Sequence, residues 1–86
     1  MQDIFQILTD ITVGVHPAKL STVDLSLPDY GLVDKGYETA VIFEPDTPRE
    51  QIEVIAWYRS YGDALRGHAD FVDNPNKILA MIDGGF

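Results

Sequence analysis

The chain contains no cysteine, which excludes disulfide staples and thiolate metal sites alike. Its 86 residues must therefore be held by one thin apolar core, or by association with another chain. Histidine is nearly absent too. His16 and His68 stand at no paired spacing, so neither a zinc nor an iron site is expected, and no cofactor. Basic residues are scarce, 6 Lys and Arg against 14 Asp and Glu, for a net charge of −8. Such a surface repels nucleic acid and anionic membranes, and no basic stripe interleaves with aromatics, so neither direct nucleic-acid binding nor membrane binding is expected. Long hydrophobic runs are missing: the apolar stretch from Ile52 to Tyr58 is far too short to span a bilayer. Met1-Gln2-Asp3-Ile4-Phe5 lacks a basic leader, so no signal peptide is expected.

Catalytic groupings are equally sparse. Ser60 is accounted for as a helix cap and Ser21 and Ser26 as strand residues, none with a base nearby in sequence. Gly84-Gly85 is followed by no helix and cannot form a phosphate loop. His68 lies on the apolar stripe of a helix and reads as a packed residue, hydrogen-bonded to backbone or to an acid. A hydrolase built on it would have no companions, and no enzyme is expected.

What is present is a succession of alternations. In 20–27, Val23, Leu25 and Leu27 share one parity while Thr22, Asp24 and Ser26 share the other, the two-residue period of a half-buried strand. Pro28-Asp29-Tyr30-Gly31 stops it and a loop runs on to Gly36. In 37–44, Tyr37, Thr39, Val41 and Phe43 take one face, and Glu38, Ala40, Ile42 and Glu44 the other. Thr47-Pro48-Arg49-Glu50 has the form of a helix start, but the run that follows is rich in strand formers. One helical turn and then a strand over 52–59 is the expectation.

Ser60 then caps a helix over 61–72, with Asp63 at the capping-box position. Tyr61, Ala64, Leu65, His68, Phe71 and Val72 form its apolar stripe. Gly67 within it costs about 1 kcal/mol against alanine, a cost best explained by close approach to a neighbouring backbone. Asn74 and Pro75 open a C-terminal helix over 75–82, ended by Asp83-Gly84-Gly85. Near the N-terminus, Ile4, Ile7, Leu8 and Ile11 match a helix stripe, whereas Ile11, Thr12 and Val13 would also suit a strand. A short helix is expected there.

Together these elements describe a single small α+β domain over 1–86. It is a three-stranded antiparallel meander with the 61–72 helix packed on one face. Val54, Ala56 and Tyr58 would join Val41 and Phe43 beneath that helix. The opposite face would collect Ala40, Ile42, Ile55 and Trp57, too apolar for plain solvent exposure. Either the N-terminal segment or the last helix covers it, or a protein partner or second copy does. Trp57, Ile55, Ile42 and Ala40 are thus the candidate partner-binding residues.

Three blocks carry a wider likeness: Ser21-Thr22-Val23-Asp24-Leu25-Ser26-Leu27, Tyr37-Glu38-Thr39-Ala40-Val41-Ile42-Phe43, and Tyr58-Arg59-Ser60-Tyr61-Gly62-Asp63-Ala64-Leu65-Arg66-Gly67-His68. The chain resembles a group of small uncharacterised bacteriophage and prophage proteins with an S-T-V-F-L-G-L, F-E-T-M-V-F, R-Y-S-T-W-E-E-A-x-x-G-H pattern. The likeness spans 21–72. It departs at Asp24, where an aromatic is usual, at Gly62, where an acid is usual, and in a long 44–51 loop. The resemblance implies the strand, strand, strand-to-helix order and a phage setting, in the bacterial cytoplasm or with the virion, and no activity. The expected function is therefore non-enzymatic, through protein–protein binding or self-assembly. The alternative is an acidic inhibitor occupying the basic site of a host nucleic-acid enzyme.

Overall fold

The structure, a computed structural model, describes residues 6–24 and 36–82. Its first element corrects the expected N-terminal helix. Gln6–Val13 is a strand, β1, paired antiparallel with β2, His16–Asp24, in a register running from Gln6 opposite Val23 to Val13 opposite His16. Two features outweigh the helix stripe. Ile7, Thr9, Ile11 and Val13 are β-branched at every second position, which suits a strand with one covered face. Gly14 follows at once and adopts φ +63, the left-handed conformation that two-residue hairpin turns need at a central position. β2 accordingly starts four residues before the expected strand. Pro17 sits one residue ahead of Ala18, the first residue of β2 that pairs with β3, so its missing N–H falls outside that ladder. Leu25–Leu27, which would complete the expected 20–27 strand, lie outside the described residues, as do the 28–35 loop, Asp3–Phe5 and Asp83-Gly84-Gly85.

β3 (Tyr37–Phe43) and β4 (Gln51–Tyr58) fall close to where the alternation put them, and the sheet order is β1-β2-β3-β4, antiparallel throughout. The meander therefore has four strands where three were expected. The turn between β3 and β4 has Glu44 and Asp46 at positive φ, with the Glu50 N–H donating to the Thr47 carbonyl at 3.1 Å as a single helical-type turn. The ladder between β3 and β4 is interrupted: Thr39 faces Ala56 but Ala40 faces Val54, leaving Ile55 as an extra, unpaired residue. This β-bulge turns Ile55 and Ala56 together toward the core. It also reverses the parity of the first half of β4, and Val54 and Ile52 point outward, 58% and 60% exposed.

Ser60 caps the helix α1, Tyr61–Asp73, its hydroxyl accepting from the Asp63 N–H at 3.2 Å. Asn74 ends this helix and does not begin the next: its backbone N–H and its side-chain amide both donate to the Asp70 carbonyl. The second helix, α2, covers Lys77–Met81. Ala64, His68 and Phe71 are the buried residues of α1, while Ile78 of α2 joins Phe71, Ile11, Val13, Leu20, Val41 and Phe43 in one core. The Asn76 carboxamide oxygen accepts from the Gly14 N–H at 2.8 Å, pinning α2 to the β1–β2 turn. Both helices thus lie on one side of the sheet. Among the described residues neither β1 nor α2 crosses the other side: β1 widens the sheet, and Ile78 of α2 packs into the same core as α1.

Gly67 has a different reason from the one expected. A methyl there would overlap the Tyr58 phenol ring, not a backbone, so the glycine lets α1 settle onto the end of β4. That contact also shields the Tyr58 hydroxyl from water, which raises its pKa.

Candidate interaction face and the buried histidine network

The registers lay the outer face out in rows. Asp10, Lys19, Ile42 and Ile52 form one row, Leu8, Ser21, Ala40 and Val54 the next, and Gln6, Val23, Glu38 and Trp57 the third. The middle of the face is made of small residues, Ser21 and Ala40, both buried, with the Gln6 carboxamide donating to the Ser21 hydroxyl at 3.1 Å. The margins carry the large apolar groups: Leu8 on β1 is half exposed, and Ile52, Val54 and Trp57 stand out along β4. Of the four candidate partner-binding residues, Trp57, Ile42 and Ala40 share this face. Ile55 does not, because the bulge sends it inward; Val54 occupies its place.

Trp57 is held in a defined pose. A Cβ at Gly36 would come within 2.8 Å of the indole Cζ2 and 2.7 Å of the Tyr58 carbonyl, so only glycine lets the ring lie there. On the indole, the Arg59 guanidinium sits 5.2 Å from the ring centroid, a cation–π contact. At the far margin the Lys19 ammonium donates to Asp10 at 2.9 Å, which raises the lysine pKa.

The charges of this face are balanced, Asp10 and Glu38 against Lys19 and Arg59, although the whole chain carries −8. Asp46 at the β3–β4 turn adds a negative charge close to Lys19. On the helices Asp63 is paired with Arg66 and Asp70 with Lys77. The 44–50 turn carries Glu44, Asp46 and Glu50 with Arg49 as its one basic residue.

On the covered face, His68 is the centre of a polar network the sequence reading did not foresee. Its Nδ1 lies 2.7 Å from the Thr22 hydroxyl and its Nε2 2.9 Å from the Thr9 hydroxyl, while Thr22 and Thr39 hydroxyls are 2.6 Å apart. The network joins three threonines on three neighbouring strands, Thr22 and Thr9 bonding the ring and Thr39 bonding Thr22, where backbone or an acid was expected. Thr22 points inward and Val23 outward, the reverse of what the apolar parity of 20–27 suggests, because the imidazole rewards a hydroxyl there.

A neutral imidazole satisfies the chain of bonds in either tautomer. With the proton on Nδ1, His68 donates to Thr22, Thr22 to Thr39, and Thr9 to Nε2; the other tautomer runs the chain backwards. Among the described residues no buried side-chain nitrogen or oxygen is left without a partner. Burial holds the His68 pKa below its ordinary 6.5. A hydroxyl beside an imidazole also suggests nucleophile activation, but Thr22 is fully buried and its proton is committed within the network. The arrangement packs the sheet against α1.

A third feature is a shallow cleft of about 230 Å³ at one end of the sheet, bordered by His16, Phe43, Glu44, Arg49 and Gln51. His16 opens β2 here. Among the described residues no group of three or more His, Cys, Asp or Glu could hold a metal, and no helix is long and apolar enough to cross a membrane. Comparison with protein-family models, with curated proteins and with solved structures finds no match to the chain.

Proposed function

We propose that this chain works through protein–protein contact made by the outer face of its sheet, in a phage or prophage setting, and not by catalysis. The observation that carries the reading is the set of exposed large apolar side chains along both margins, Leu8 on one and Ile52, Val54 and Trp57 on the other, on the face opposite both helices. Removing such groups from water is worth roughly 25 cal/mol per Å², and leaving them exposed without use would be an aggregation liability. The rigid seating of Trp57 between Gly36 and Arg59 supports the same reading, because an anchor that is already ordered loses little entropy on binding. An acidic inhibitor of a nucleic-acid enzyme would need a strongly acidic surface, whereas Asp10 and Glu38 on this face are matched by Lys19 and Arg59.

The test uses wild type and Trp57→Asp as matched baits in host-cell and virion lysates. Proteins, including tagged copies of the chain itself, should be retained by wild type and lost from the variant at equal folded content by circular dichroism. Equal retention by both baits would remove the outer face from the function.

A further inference from the structure

Resting on the reading just given, we infer that the occupant of the outer face is a second copy of this chain, docked sheet to sheet about a twofold axis lying between the two sheets. Three observations lead there. The first is width. Leu8 lies on one edge strand and Ile52, Val54 and Trp57 on the other, and strands about 4.8 Å apart put these margins roughly 14 Å from one another. A single partner helix, about 10 Å across, would cover one margin and leave the other wet. Another four-stranded sheet spans both.

The second is charge. A second copy also carries −8, so self-association is tolerable only through a patch where the excess is absent. Among the described residues the outer face comes near to such a patch: the Asp10–Lys19 pair and the Glu38 and Arg59 charges cancel, and Asp46 adds one negative charge close to Lys19. A basic partner would find nothing here to prefer.

The third is shape and size. Small Ser21 and Ala40 at the centre let two faces approach to the roughly 10 Å spacing of packed sheets. Strands of this length and spacing give a face of roughly 19 by 25 Å in plan. Two copies then bury about 1,000 Å² together, the lower bound of a specific interface. The dimer is accordingly concentration-dependent and exchanges with monomer.

Sedimentation velocity and light scattering from low micromolar to millimolar concentration test this on the full chain. The mass should rise from 9.6 kDa toward twice that value. Val54→Asp and Leu8→Asp, on opposite margins, should each weaken association about tenfold or more, while Leu79→Asp on α2, exposed on the other side of the molecule, should leave it unchanged. The two margin variants are independent, so one that failed to fold would not remove the test. A wild type that stays monomeric throughout overturns the second copy and leaves the face open to another protein. A dimer that persists in both margin variants forms through another surface and overturns the second copy on the outer face, which the Trp57→Asp comparison then tests for another protein.

Discussion

At the scale of single residues, His68 shows how a polar side chain becomes a packing residue. It is 5% exposed and fully hydrogen-bonded by hydroxyls, with no carboxylate to favour its cation. Protonation would not break the bonds, since Thr9 and Thr22 can both accept from an imidazolium; what opposes it is desolvation of the charge. The folded-state pKa is therefore depressed, and the unfolded chain binds the proton more readily. By linkage, stability from this group is fully present above the ordinary value near 6.5 and declines as the pH falls from there toward the folded-state pKa. Chemical denaturation between pH 8 and 5 should show the wild-type midpoint dropping over that window. His68→Gln should be less stable at pH 8, because an amide cannot reach both hydroxyls, and should lack this part of the pH response. An identical slope in the variant would assign the titration elsewhere.

At the scale of elements, the β-bulge at Ile55 decides which half of β4 faces the helices, and it gives a sharp contrast between neighbours. Ile55→Asp would force a carboxylate against the core and should cost about 2 kcal/mol or more. Val54→Asp, on a side chain 58% exposed, should change stability by only about 0.5–1 kcal/mol, mostly strand preference. Urea midpoints of the two variants check this, and the reverse order would mean a strand without the bulge. The same element marks the limit of what sequence periodicity can reveal. Strand-to-helix order from Tyr37 to Asp73, the Ser60 cap and the inward stripe of α1 were readable because local chemistry and tertiary packing agree there. Trp57, Ile42 and Ala40 were correctly grouped on one face, because their parity is undisturbed. Ile55 was misplaced because a bulge depends on one extra residue in a ladder, which alternation along a single strand cannot show. β1 was read as a helix because Ile7, Leu8 and Ile11 sit at helical spacing, while Ile7 and Ile11 also fit the strand period. Gly14, directly after the β-branched run Ile11-Thr12-Val13, was the signal that could have decided it. The threonine network was hidden for another reason: Thr9, Thr22 and Thr39 are meaningful only once three strands lie side by side beneath His68.

At the scale of the whole molecule, charge distribution separates the two ways such a protein could bind. Two chains each carrying −8 repel at long range, and salt shortens that repulsion, with a screening length of about 10 Å at 0.1 M. The described charges of the outer face nearly balance, so it adds little attraction or repulsion of its own, and the apolar contact is insensitive to modest salt. Raising sodium chloride from about 0.05 to 0.5 M should therefore tighten self-association, lowering the dimer Kd about two- to tenfold. An acidic surface gripping a basic enzyme predicts the opposite sign: its affinity would fall steeply over the same range, as attraction between unlike charges is screened. Sedimentation equilibrium across a salt series distinguishes these by direction alone. The Lys19–Asp10 pair supplies an internal control, since Lys19→Gln leaves Asp10 unbalanced on the face. That variant should weaken the dimer most at low salt and approach wild type as salt rises. If its deficit were instead the same at every ionic strength, the charge balance of the face would have no part in holding two copies together.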